Sequence, residues 1–382
     1  MDLELPESHR LLRETVRAFC DKEVVPHARL WDEEERFPHE IVPRLAELGL
    51  LGIRIPEEYG GSGLDTLAYA VVVEECARAD GSLALTVASH NGLGTSHISL
   101  AGTEEQKRKY LPRAAKGEWL AAWALTEPGS GSDSAAVKTT AERDGDGWRL
   151  NGAKTFITQG SVGGFCVVLA RSNKETSPQR GITAFIVDRG TPGFSASRHI
   201  EKYGCRSSDT VELVLEDVRL ADTQRLGEVD RGFRDTMSIL DRGRVSIAAM
   251  ALGLGRGALE IAVKYANQRE AFGKPIGRFD AVRALLATAR AELDASAMLV
   301  YRAAVAADQG RPYSQKAAMA KLYASEAATR ACNASLQVLG GYGYTREFAV
   351  ERHLRDVKLC EIGEGTSQIQ RMVIARSLVD RV

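Results

Sequence analysis

The sequence predicts an α+β protein that is mostly helical, with one β domain set between two helical ones. Three observations carry that expectation. Apolar residues recur at helical spacing from about residue 5 to 125. The period then shortens to that of strands, and helical spacing returns in long alanine-rich segments. Domains are accordingly expected at 1–125 (helical), 126–235 (β) and 236–382 (helical bundle). Nothing alternates strand with helix and no G-x-G-x-x-G follows a strand, so a nicotinamide-binding Rossmann domain is not expected.

In the first region, "HRLLRETVRAFCDKEVV" and "FPHEIVPRLAELGLLGI" read as helices broken at proline and glycine. In the second, "GWRLNGAKTFIT", "FCVVLARS", "GITAFIVD" and "TVELVLEDVRL" read as strands of a small antiparallel barrel or sandwich. Asp146-Gly147 and Asn151-Gly152 serve as turn signals between them. In the third, the segments 238–269, 281–308 and 317–341 have wide alanine-rich apolar faces that suit a four-helix bundle or an oligomer contact.

A formal net charge of −1 supplies no field that would gather nucleic acid or an anionic membrane, so an anionic ligand needs a local basic site. Six scattered cysteines without C-x-x-C read as reduced thiols of a cytoplasmic protein. The acidic N-terminus lacks the pattern of a signal peptide, and no apolar run approaches the ~18 residues of a membrane span.

Five segments can carry chemistry. "WALTEPGSGSD" (123–133) offers glycines for close backbone approach and the hydroxyls of Thr126 and Ser132, although a hydrated turn has the same composition. In "KTFITQG" (154–160), Phe156 and Thr158 stand two apart on one strand and share a face, where they serve a planar ring or ordinary sheet packing. Asp241, Arg242 and Arg244 are expected to open a long helix that Arg269 closes. Guanidinium groups there answer the helix dipole or bind phosphate. "QVLGGYGY" (337–344) is a glycine C-cap. In "EIGEGTSQIQR" (361–371), Ser367 and Gln370 have capping-box spacing, so a helix should begin at about Gln368 with Glu364 just outside its N-terminus. That carboxylate is a solvated loop charge or a base whose acidity is set by burial against the dipole.

In this order these segments resemble the acyl-CoA dehydrogenase family over nearly the whole chain, most nearly its short-chain, butyryl-type members. The resemblance implies FAD between the β domain and the bundle, a homotetramer, an acyl-CoA substrate and an electron-transfer flavoprotein as acceptor. It implies flavin contacts at Leu125, Thr126, Ser132, Phe156, Thr158, Thr366 and Gln368. FAD diphosphate and adenine contacts are implied at Arg269, Phe272, Gln337, Gly340 and Gly341, and substrate contacts at Ser132, Asp241, Arg244, Gly365 and Arg376. Glu364 matches the catalytic base, taking the α proton while the β hydride passes to flavin N5. The alternative place for a base, on the first bundle helix, has no carboxylate in "VSIAAMALGLG". Phe156, Asp280 and Gly363 stand where the family usually has tryptophan, glutamine and tyrosine. "LTVASHNGLGTSH" (85–97), with His90, Asn91 and His97, is expected at the acyl pocket. An acyl-CoA oxidase or flavin monooxygenase on the same fold would show rapid peroxide formation, and a non-catalytic helical scaffold would bind no flavin.

Overall fold

The computed structural model describes residues 4–379. Seven helices come first: α1 (Glu7–Phe19), α2 (Val25–Glu34), α3 (Val42–Glu47), α4 (Thr66–Ala79), α5 (Gly81–Ser89), α6 (Thr95–Ala101) and α7 (Glu104–Ala115). Their starts follow local chemistry. Asp65 and Asp80 accept the N–H groups of Ala68 and Leu83 and so cap α4 and α5, and Thr103 with Gln106 forms a full capping box on α7. Single π turns, Cys20–Val24 and His90–Gly94, join α1 to α2 and α5 to α6.

Eight strands follow: β1 (Ala121–Ala124), β2 (Thr140–Asp144), β3 (Gly147–Thr158), β4 (Phe165–Arg171), β5 (Ile182–Asp188), β6 (Phe194–His199), β7 (Thr210–Ala221) and β8 (Arg225–Leu226). They form one sheet in the order β6-β7-β3-β2-β4-β5-β8, with β1 beside β4. Pairing is antiparallel except for β1–β4 and the single β2–β4 contact, which are parallel. One side of β4 (Val167, Leu169) joins a core with α7, and the other (Cys166, Val168, Ala170) joins a core with Trp148 and Phe185. Both faces are therefore covered, which explains why these strands read as continuous apolar runs. Asn151-Gly152 is not a turn. β3 passes straight through it with a bulge, and a Cβ on Gly152 would meet Thr139 Oγ1 at 2.5 Å.

The last part holds α8 (Gly232–Gln268), a short hairpin of β9 (Glu270–Ala271) and β10 (Lys274–Pro275), α9 (Asp280–Asp308), α10 (Ser314–Leu339), α11 (Val350–Val357), α12 (Leu359–Ile362) and α13 (Ser367–Val379). An 18-residue window of α8 has mean hydropathy 1.4, long and apolar enough by composition to cross a membrane, contrary to the reading of the sequence. Its burial explains that composition, because 83% of the window lies inside the protein. Glycines let α8 press on α4. A Cβ on Gly253 would stand 2.0 Å from the Glu74 carbonyl, and one on Gly257 2.3 Å from that of Arg78.

Candidate active site

Between α12 and α13 the chain turns sharply. Gly363 is extended (φ −66°, ψ 152°), and Glu364 and Gly365 then take positive φ of 52° and 91°. A positive φ is uncommon for glutamate and costs on the order of 1–3 kcal/mol, so something must hold it. Lys321 Nζ donates to the Gly365 carbonyl at 2.5 Å, and Gln370 Nε2 donates to the same oxygen at 2.8 Å. Helix α13 begins at Ser367, one residue earlier than the spacing suggests. Its cap is Thr366, whose Oγ1 accepts the N–H of Ile369, rather than Ser367. Gln370 turns its amide back to the loop carbonyls instead of completing a capping box.

Glu364 is half-buried as a residue, but its carboxylate atom Oε2 is enclosed and has no hydrogen-bond partner. It lies over Gly243 of α8, where a Cβ would stand only 1.5 Å from Oε2. Burial pushes the carboxyl up to about 7, against the opposing pull of Lys321 and Arg244. Arg244 is buried, pairs with Asp241, and keeps its Nε without a partner. Asp241 also accepts from Ser314 at 2.9 Å. These residues do not open the helix, as the sequence suggested. Helix α8 starts at Gly232, and Asp241–Arg244 lie in its interior, so the dipole is not what holds Arg244.

Lys321 and Gly243 were not singled out by sequence. A signal existed for the lysine, because it falls on the buried stripe Ala317, Lys321, Ala324, Ala328 of α10. Glycine 243 looks like a weak helix residue until its neighbour is known.

A second group lies at the edge of the sheet. The backbone of Thr126 accepts from Thr155 N at 2.9 Å, and buried Lys154 donates to the Leu125 carbonyl (3.1 Å) and to Glu127 (2.8 Å). Glu127 also accepts from the N–H groups of Lys138 (2.6 Å) and Thr139 (3.0 Å). Burial raises its carboxyl, but Lys154 and those donors bring it below its ordinary value. This pair, also missed by sequence, clamps the 123–133 turn to β3. Beyond it Phe156 is 63% exposed at φ 58°, next to a bulge, with Ile157 buried and Thr158 half-exposed. An exposed aromatic held in a strained conformation is an open platform, and Thr158 shares its outward side.

A third group is a cleft of about 480 Å³ lined by Tyr265, Arg269, Gly340, Gly341 and Tyr342. Arg269 lies over the Tyr342 ring at 6.0 Å, and a Cβ on either glycine would meet nothing within 4 Å. An arginine beside open glycine backbone fits a diphosphate, and the Phe156 platform fits a flavin ring. Ser132, Phe272, Gln337, Gln368 and Arg376 stand exposed, and Phe272 is 96% exposed. None of these five is buried beside Glu364.

Residues 85–97 are nearly all buried. His90 donates Nε2–H to the Leu51 carbonyl and accepts the Ala121 N–H at Nδ1, both at 3.0 Å. Asn91 donates to the carbonyls of Leu50 and Val87. His97 accepts from Trp123 Nε1 at 3.1 Å. Burial lowers both histidines, to about 4 and about 3, so both are neutral fixtures of the scaffold. Of the two other departures, Asp280 is exposed at the start of α9 and pairs with Arg283 at 3.5 Å, and Gly363 is not demanded by its backbone, since φ is negative and a Cβ would meet Leu359 at an ordinary 3.4 Å.

A strained carboxylate with an enclosed oxygen, set against α8 and near α10, thus belongs to a chain built as helices, then a sheet, then a helical bundle. The models for the N-terminal, middle and C-terminal domains of acyl-CoA dehydrogenases match residues 6–118, 122–218 and 230–379. The chain is 45% identical over 379 residues to "Probable acyl-CoA dehydrogenase YngJ" of Bacillus subtilis, covering 99% of this chain and 100% of that one. It is 42% identical over 377 residues to the mitochondrial short-chain specific acyl-CoA dehydrogenase of Bos taurus, covering 99% and 91%. Among solved structures, butyryl-CoA dehydrogenase from Megasphaera elsdenii superposes with a TM-score of 0.97 at 38% identity, covering 99% and 100%. The chain belongs to the acyl-CoA dehydrogenase family, whose members are FAD-dependent oxidoreductases.

Proposed function

We propose that the protein removes two hydrogens from the α and β carbons of a short-chain acyl-CoA, giving the trans-2-enoyl-CoA, with Glu364 as the base. The observation that carries this reading is the enclosed, unpartnered Oε2 of Glu364, poised near pH 7 over a helix glycine. An α C–H beside a thioester is a weak acid, and a carboxylate removes it efficiently only when its own basicity is raised, with its pKa brought toward neutrality. Burial provides that shift. Lys321 and Gln370 fix the Gly365 carbonyl, so the Glu364 peptide is held for the thioester oxygen, whose developing charge its N–H would meet. Arg244 and Asp241 bind the thioester arm.

Bound FAD supplies the two-electron acceptor for the β hydride. Phe156, Thr158, Thr126 and Leu125 would hold its ring, with Ser132, Thr366 and Gln368 at its edge. Arg269, Gly340 and Gly341 would hold the diphosphate, with Phe272 and Gln337 reaching a neighbouring subunit of a homotetramer. Arg376 would meet the CoA nucleotide, and an electron-transfer flavoprotein would reoxidise the enzyme.

Anaerobic mixing with butyryl-CoA tests the reading. The wild type should bleach the flavin in one turnover. Glu364→Gln should keep FAD and bind the thioester while bleaching at least 1000-fold more slowly, on the order expected when the sole base is removed. Full bleaching by that variant would sink the assignment, and rapid peroxide release by the wild type in air would favour an oxidase.

A further inference from the structure

A buried ion pair is seldom the most stable filling of a core, since apolar residues of the same volume often do as well or better. Lys154 and Glu127 nevertheless stand together, 0% and 6% exposed, behind the turn that follows β1. Their bonds converge on that turn. Lys154 Nζ donates to the Leu125 carbonyl at 3.1 Å and to Glu127 Oε1 at 2.8 Å. The carboxylate also takes the N–H groups of Lys138 and Thr139, and the Glu127 main chain closes on Ser130 at 3.0 and 3.1 Å. The Leu125 carbonyl belongs to the same peptide group as the Thr126 N–H. Among the described residues that N–H donates to no protein acceptor, and Thr126 is half-buried rather than enclosed. The Thr126 carbonyl accepts from Thr155 N at 2.9 Å, and the next residue of β3 is the exposed Phe156. The free donor thus lies next to the aromatic platform.

A cation on a carbonyl oxygen draws electron density through the peptide and makes its N–H a stronger donor, and bonds linked in this way reinforce one another. Away from water the charge is little screened. Burial lowers the Lys154 ammonium to about 8, against the support of Glu127, so it is a cation at pH 7. Hydride transfer adds a negative charge to a flavin ring, and fixed donors aimed at the ring favour that charged form. Resting on the dehydrogenase reading, we infer that Lys154 and Glu127 are positioning residues for the flavin: through the Leu125–Thr126 peptide they preset a strengthened N–H donor that favours the reduced ring. Glu127 holds the ammonium in place, and Lys154 carries its field to the one peptide that presents a free N–H beside Phe156.

The test measures the FAD affinity of the apoprotein by fluorescence quenching and the two-electron midpoint potential of the substrate-free holoenzyme by dye-coupled reduction. The double variant Lys154→Met with Glu127→Gln removes both charges together, so that neither is left buried alone. Its dissociation constant for FAD should rise about tenfold. Its potential should fall by about 30 mV, the two-electron equivalent of a tenfold loss of preference for the reduced ring. Lys154→Gln with Glu127→Gln keeps a neutral donor for the Leu125 carbonyl, and should hold FAD more tightly than the methionine pair while showing the same fall in potential. It reports alone where the methionine pair does not load flavin. A pair that only braces the fold would weaken FAD binding and leave the potential in place. That result in a flavin-loaded variant would overturn the assignment, and bleaching of the wild type by butyryl-CoA would show the dehydrogenase reading intact. A wild type that binds no FAD would overturn both.

Discussion

Replacing Lys321 by methionine isolates its electrostatic role. Methionine keeps an unbranched chain of similar reach in the buried stripe of α10, and the Gly365 carbonyl keeps its second donor, Gln370 Nε2 at 2.8 Å, so the loop retains a tie. What disappears is a cation. Burial lowers the ammonium to about 8, so it is charged through the range in which Glu364, raised to about 7, gives up its proton. An opposite charge close by holds a carboxyl down by about one to three units. With Arg244 still present, the lower end applies, so Glu364 should move up by about one unit in Lys321→Met. At pH 7 the ionised fraction then falls from about one half to about one tenth, a roughly fivefold loss of flavin reduction rate that is recovered near pH 9. Stopped-flow bleaching with butyryl-CoA from pH 6 to 9 measures this, with Lys321→Arg as the control that keeps the charge and the wild-type inflection. An inflection in Lys321→Met that stays in place or moves down would refute the reasoning.

Gly243→Ala should retain FAD and lose flavin reduction at least 100-fold, because its methyl would stand where Glu364 Oε2 now lies and displace the carboxylate proposed as the base. Glu364→Gln should stabilise the protein in alkaline solution. A carboxyl raised from 4.5 to about 7 in the fold contributes stability that is full below pH 4.5 and is lost as pH rises through 7. The glutamine variant escapes that loss, so its advantage in urea melts should grow from near zero at pH 4.5 to at most about 3 kcal/mol at pH 8. A flat difference across pH would contradict it. Lys154→Met should cost about 3–5 kcal/mol in the same melts, because it leaves Glu127 buried without its cation.

The sequence announced the helix, strand, helix order because each long run obeys one period, and four of its strand runs reappear as β3, β4, β5 and β7. Strand β1, "AAWA", escaped because it is short, buried throughout and made mostly of a helix-favouring residue. Within the site, Glu364 was legible from its paired glycines. The cap moved from Ser367 to Thr366 because the turn at Glu364 and Gly365 presents the threonine oxygen first. Arg244 was legible as a residue but not in its setting, since nothing local revealed that α8 begins at Gly232. There the missing Cβ would stand 2.9 Å from the Ala184 backbone nitrogen, a contact made only by the fold.

The site is shaped largely by side chains that are absent, and those absences differ in kind. Gly365 has a positive φ that favours glycine, whereas Gly243 is an ordinary helix residue whose missing Cβ makes room for a carboxylate. Glycine in a helix interior costs about 1 kcal/mol relative to alanine, so its presence there reflects the space it leaves rather than helix stability. Gly92 leaves room for the Tyr69 hydroxyl in the same way. Gly363 needs neither explanation, because its backbone is relaxed and its Cβ position is clear. A larger residue there would fit against Leu359, so nothing in the packing forces the glycine at 363 as the Glu364 carboxylate forces the one at 243.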